Sequence, residues 1–212
     1  MNNKAIIFDM DGVLIDSEPL WQKAQDICLS QYGVRVTPEE CERHTMGKRI
    51  DAIAQTWKDM FHLDVDLNTL EKGILDKLCL QVMEEGRAMP GVSEMISAAK
   101  ALGYQIGLAT SSSRRVVNVV LDKLGLVEYF DEISSAEDEK YGKPHPAVYL
   151  TTARKLNVQP KDCLVIEDSL NGLIAAKSAM MTTYLVSHDC QAPKFAFADN
   201  RFSSMLEVVK VI

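Results

Sequence analysis

Two carboxylates stand two residues apart in Asp9-Met10-Asp11-Gly12, immediately after the short apolar run Lys4-Ala5-Ile6-Ile7-Phe8. Acids at this spacing can face one pocket where a backbone leaves a sheet, one as nucleophile and the other as proton donor and acceptor. A solvated Asp-Gly turn is the plain alternative for these residues taken alone. A calcium loop is not, because it needs Gly at its sixth position and spaced oxygen ligands after it, whereas here Gly12 is fourth and Val13-Leu14-Ile15 follow.

Three more polar clusters follow apolar runs or precede helical stretches. Thr110-Ser111-Ser112 offers hydroxyls and backbone N–H groups at an expected helix N-terminus, which suits an anion such as phosphate, or plain helix capping. Gly142-Lys143-Pro144-His145-Pro146 carries Lys143, a candidate fixed cation where a solvated loop lysine is the ordinary alternative; His145, between prolines, reads as structural. Glu167-Asp168-Ser169 is a second acidic pair, with capping as its simple explanation.

Asp9, Asp11, Glu167 and Asp168 against the single ammonium of Lys143 leave a negative excess that a cleft cannot hold without a cation or protonation. Two like charges ~4 Å apart at an effective dielectric of ~20 repel by about 4 kcal/mol. Carboxylates without His or Cys ligands select a hard ion, and a site that keeps several waters suits magnesium. Asp9, Asp11 and Asp168 are the expected Mg2+ ligands, with Glu167 supporting them from behind or through water. Phosphoryl transfer then assigns Asp9 as nucleophile and Asp11 as the acid that protonates the leaving alkoxide and later the base for water. Thr110, the backbone near Ser111 and Lys143 would hold the phosphoryl oxygens.

These clusters need a scaffold that brings them together. Lys4–Phe8, Gln105–Ala109, Asp131–Ser134, Cys163–Ile166 and Thr182–Val186 read as strands, several as continuous apolar runs typical of strands buried on both faces. Helical stretches at about 92–102, 114–124, 146–156 and 169–180 alternate with them. The expected fold is an α/β doubly wound, Rossmann-like parallel sheet, with the strand ends and their polar residues at one edge. Residues 16–85 differ: Trp21, Ala24, Ile27, Cys28 and then Ile50, Ile53, Ala54, Trp57 recur at helical spacing without a buried strand run. Residues 1–15 and 86–212 are therefore expected to form the core and 16–85 a helical cap, joined through 15–19 and the Gly/Pro-bearing 85–91. On the cap, Arg49 and Lys48 could meet substrate as a lid closes, and Glu18 and Trp21 could line its floor, although Trp21 also reads as cap core.

The 212 residues suit one large domain or a domain with an insert, and 47% hydrophobic with 25% charged residues is ordinary globular usage. A net charge of −7 argues against nucleic acid and anionic lipid as partners. Five scattered cysteines, Cys28, Cys41, Cys79, Cys163 and Cys190, form no C-x-x-C pair and read as reduced core thiols. No signal peptide or membrane segment is read, so the cytoplasm is the expected location; a monomer is the expected state.

Asp9-x-Asp11, Thr110, Lys143 and Glu167-Asp168, in that order and on those strand ends, resemble the four motifs of the haloacid-dehalogenase-type phosphatases. The resemblance runs over nearly the whole chain. Residues 9–21, Gly47-Lys48-Arg49-Ile50-Asp51, 143–149 and 167–172 look most like the bacterial 2-deoxyglucose-6-phosphate phosphatase and hexitol phosphatase group. That resemblance implies a helical cap after the first motif, bound magnesium and hydrolysis of small sugar phosphates through an aspartyl-phosphate. Departures narrow it. The similar β-phosphoglucomutases carry a cap histidine near the place of Trp21, which weighs against a phosphoryl-transferring mutase. Dehalogenases lack the second aspartate, here Asp11, and phosphonate-cleaving relatives need a cap lysine, a place that Lys48 could in principle occupy.

An aspartate-phosphorylated, receiver-like signalling domain is the alternative from another class, since it also gathers acids, Thr/Ser and Lys around magnesium. It needs no helical insert after its first strand, and here such an insert stands ready to close over a small molecule.

Overall fold

The computed structural model describes residues 4–212. Six parallel strands form one sheet: β1 (Ala5–Phe8), β2 (Gln105–Thr110), β3 (Glu132–Ser135), β4 (Cys163–Glu167), β5 (Thr182–Val186) and β6 (Asn200–Phe202), in the order β3-β2-β1-β4-β5-β6. β1 lies between β2 and β4, with Ile6 beside both Ile106 and Leu164. The strand order reverses at β1, so the crevice beyond its carboxyl end is the place where such sheets bind ligands.

Alternate side chains of β1 feed opposite layers, as the two-residue period requires. Ile6 and Phe8 enter a core with α5 (Val92–Ala101), α6 (Arg114–Leu124) and α9 (Met205–Val208), while Ala5 and Ile7 enter a core with α7 (Ala147–Lys155) and α8 (Leu170–Ser178). All four residues are fully buried, which is why the run shows no polar alternation. β6 has only three residues, none fully buried, and it escapes a reading based on apolar runs.

Between β1 and α5 the chain forms α1 (Glu18–Ser30), α2 (Pro38–His44), α3 (Ile50–Phe61) and α4 (Leu67–Glu85). Trp57, Leu29, Leu70 and Ile74 centre a separate apolar cluster there. Residues 16–85 are nevertheless not a separate packing unit, because Leu20 and Ala24 of α1 and Leu78, Cys79 and Val82 of α4 belong to the main core. The two connections pair with each other: Asp16 N donates to Arg87 O, and Met89 N to Leu14 O. Among the described residues all five cysteines are buried free thiols, and no helix is long and apolar enough to cross a membrane.

Candidate active site

β1 ends at Phe8, and Asp9 follows with its backbone N–H still bonded to Ile166 O of β4. This places the Asp9 carboxylate in the crevice between the two strands. Lys143, from the loop before α7, reaches it: Nζ donates to Asp9 Oδ1 at 2.6 Å, to Glu167 Oε1 at 2.7 Å and to Ala109 O at 3.2 Å. The ammonium has three N–H donors, and all three are engaged. All three side chains of these ion pairs are buried, with exposures of 3% for Lys143, 8% for Asp9 and 0% for Glu167.

Glu167, the last residue of β4, is saturated. Oε1 also accepts from Tyr149 Oη at 2.7 Å, and Oε2 accepts from the backbone N–H of Asp168 and Ser169 and from Ser169 Oγ. Burial alone would raise its pKa, but the Lys143 charge and these hydrogen bonds outweigh burial and hold it below the usual carboxylate value. These bonds tie it to Lys143 and to the start of α8. The capping expected at this cluster is present too, since the Ser169 hydroxyl also accepts from Gly172 N at the start of α8.

Asp9 and Asp168 have the opposite electrostatics. Burial pushes Asp9 up to about 7, with Lys143 pulling it down and Glu167 and Asp11 adding to burial. Asp168 is raised well above its ordinary value by burial, then by Glu167 and Asp9. Asp9, Glu167 and Asp168 each offer an oxygen within 4.8 Å of the others. With Glu167 fully engaged, Asp9 and Asp168 are the two carboxylates short of positive charge, and a hard divalent cation fits that deficit. Gly12 makes room for Asp168: it adopts φ +75°, and a Cβ on it would overlap Asp168 Oδ2.

Asp11 was expected as a metal ligand, but its side chain lies outside this carboxylate group. Oδ1 accepts from Ser17 Oγ at 2.6 Å and Trp21 Nε1 at 2.9 Å, and Oδ2 accepts from Ser112 Oγ at 2.8 Å. Three donors hold this carboxylate toward Ser17, Trp21 and Ser112 and leave it little lone-pair capacity for a metal. Ser17 stands at the N-cap position of α1 yet makes no side-chain cap, because its hydroxyl is turned to Asp11. Trp21 packs against both the main core and the cap cluster while its indole N–H reaches Asp11. Thr110 is fully buried at the end of β2 and accepts from Ser112 N, and Ser111 is half-buried beside it.

Other cap residues stand elsewhere. Lys48 is exposed, with Nζ 3.4 Å from Thr56 Oγ1, and Glu18 is exposed in the first turn of α1. Arg49 does cross to the core, but its guanidinium donates to Ala136 O, Glu139 O and the Asp51 carboxylate. Sequence reasoning missed Tyr149, and it read Ser112 only as part of a hydroxyl cluster for an anion or a cap, not as a donor to Asp11. A tyrosine in an apolar helix reads as core, and only its place six residues after Lys143 hints otherwise. Burial holds its phenol well above the usual pKa, so it remains a donor to Glu167.

A family model described as haloacid dehalogenase-like hydrolase matches residues 3–179. Hexitol phosphatase B of Escherichia coli K12 is 38% identical over 208 residues, covering 96% of this chain and 93% of that protein. A phosphorylated carbohydrates phosphatase of Thermotoga maritima is 35% identical over 176 residues, 83% of this chain and 81% of that protein. Among solved structures, CbbY of Rhodobacter sphaeroides in complex with phosphate superposes with a TM-score of 0.87 at 26% identity, covering 97% and 96% of the two chains.

Proposed function

The chain belongs to the haloacid dehalogenase-like hydrolases, and within that family we propose that it is a magnesium-dependent phosphomonoesterase acting on small sugar phosphates, a hexose 6-phosphate, 2-deoxyhexose 6-phosphate or hexitol phosphate, through an aspartyl-phosphate. The observation that carries this reading is the buried Asp9–Lys143–Glu167 ion pairing beside Asp168. A buried carboxylate can approach an anionic phosphate only where cations offset the repulsion, and this crevice has one fixed ammonium and a place for a divalent ion.

Asp9 attacks phosphorus while the bond to the sugar oxygen breaks, and Asp11 gives its proton to the leaving alkoxide. Lys143 is already on Asp9 and can follow the charge as it passes to the phosphoryl oxygens. Asp11 then takes a proton from water, whose oxygen bonds to phosphorus, and the Asp9–phosphate bond breaks to release phosphate and regenerate the carboxylate. Magnesium, held by Asp9 and Asp168, would supply charge neutralisation and orientation. Thr110 and the backbone around Ser111 are the further phosphate contacts in this reading. The relatives' names motivate the sugar phosphate. Every group comes from one chain, so a monomer suffices.

The test is a panel of hexose, 2-deoxyhexose, hexitol, pentose and glycerol phosphates, with and without Mg2+. Magnesium-dependent phosphate release from sugar phosphates supports the reading. A mutase would instead isomerise its substrate, and no release from any monoester would contradict hydrolysis.

A further inference from the structure

Arg49 precedes α3 on the cap, yet its Nη1 donates across to Ala136 O at 3.1 Å and Glu139 O at 2.9 Å in the segment after β3. Nε and Nη2 are forked onto Asp51, at 3.2 and 2.8 Å. Four of the five guanidinium N–H groups therefore point at protein. Asp51 is half-exposed, so this ion pair adds little stability by itself. It aligns the planar guanidinium so that Nη1 meets both carbonyls, which a lysine could not reproduce.

The aliphatic stem of Arg49 reaches farther along the same segment. It lies over Gly142, where a Cβ would come within 2.6 Å of Arg49 Cδ and 3.1 Å of Cγ. Gly142 is not in the left-handed region, so glycine is required there for this close approach and not for backbone conformation. The next residue is Lys143, whose ammonium is held by Asp9 and Glu167. One cap side chain thus touches the core segment that delivers the buried active-site cation.

We propose that Arg49 is a positioning residue that clasps the cap to the 136–142 segment and so helps seat Lys143, closing the site through protein contacts and not by reading the sugar. This rests on the phosphomonoesterase reading above. A clasp with four of its five donors spent on carbonyls and Asp51 does not discriminate among the substrate's hydroxyls. It lowers the barrier equally for any phosphate monoester that fits, and favours a site tolerant of several sugars.

The experiment compares wild type, Arg49→Ala, Gly142→Ala and the double variant on a sugar phosphate and on p-nitrophenyl phosphate, which has no sugar. Backbone hydrogen exchange is followed over 136–142 in all four. Loss of charge-assisted hydrogen bonds should lower kcat/KM roughly tenfold for Arg49→Ala, by the same factor on both substrates. Gly142→Ala should do the same by displacing the stem, and the double variant should be no worse than either single one. Exchange should quicken over 136–142 in all three variants. A loss confined to the sugar phosphate, losses that multiply in the double variant, or unchanged exchange over 136–142 would each overturn the clasp. If Arg49→Ala does not fold, Arg49→Lys takes its place and should show the same losses, retained wild-type behaviour overturning the proposal. Should wild type release no phosphate from any monoester, the phosphatase reading fails and the exchange comparison still decides the clasp.

Discussion

Lys143 Nζ and Asp9 Oδ1 are 2.6 Å apart although 134 residues separate them in the chain, and both side chains are almost wholly buried. The contact joins the end of the central strand to a loop across the crevice, and it opposes the burial that raises the pKa of the candidate nucleophile.

Replacing Asp9 by Asn keeps the shape but removes the nucleophile and a carboxylate that is costly to ionise when buried. Magnesium-dependent turnover should vanish. The metal-free variant should melt at or above the wild-type temperature at pH 8, as followed by calorimetry. Turnover near wild type would remove Asp9 from the nucleophile role.

Removing Lys143 has the opposite effect on stability. Lys143→Met leaves Asp9 and Glu167 without their buried cation, and breaking a buried pair costs about 3–5 kcal/mol. Urea unfolding at pH 8 should show a loss of that order. A stability within error of wild type would mean that solvent reaches these carboxylates more freely than their burial indicates.

The pH dependence follows from Asp9, which burial pushes up to about 7. An unfolded aspartate releases its proton near pH ~4. Between these values the folded chain holds a proton that the unfolded chain has lost, so this contribution to metal-free stability declines as pH rises through that window. Magnesium needs the ionised form and competes with the proton. The rise in melting temperature on adding Mg2+ should therefore be larger at pH 8 than at pH 6. An equal rise, or a larger one at pH 6, would contradict this assignment.

Trp21→Phe keeps most of the packing and deletes the indole N–H on Asp11. Ser17 and Ser112 still hold the carboxylate, so kcat for a sugar phosphate should fall roughly tenfold, with a smaller change in KM. An unchanged kcat would reduce Trp21 to a packing residue.

Gly172→Ala tests the geometry behind Lys143. A Cβ at position 172 would overlap the Glu167 carboxyl group, which is locked by five donors and cannot move aside cheaply. The variant should lose activity together with thermal stability. Normal activity would show that Glu167 can be displaced without disturbing Lys143.

Much of this site was legible because strands buried on both faces are continuous apolar runs, so the polar residue ending each one is conspicuous. Asp9, Thr110 and Glu167-Asp168 stand out for that reason, and parallel topology brings such ends together. What stayed hidden depends on contacts between distant segments. Nothing in local spacing says that Ser17 forgoes capping for Asp11, that Tyr149 serves Glu167, or that the donors of Arg49 are taken by carbonyls some ninety residues away. The shared packing of α1 and α4 was hidden likewise, since an amphipathic stripe does not name the surface it will meet.

The central claim is that phosphate passes through Asp9. Wild-type protein mixed with Mg2+ and labelled hexose 6-phosphate, quenched in acid during turnover and mapped by peptide, tests it most directly. The account predicts label on the Asp9 side chain, absent from Asp9→Asn. Turnover that leaves label on another residue, or on none, would contradict it.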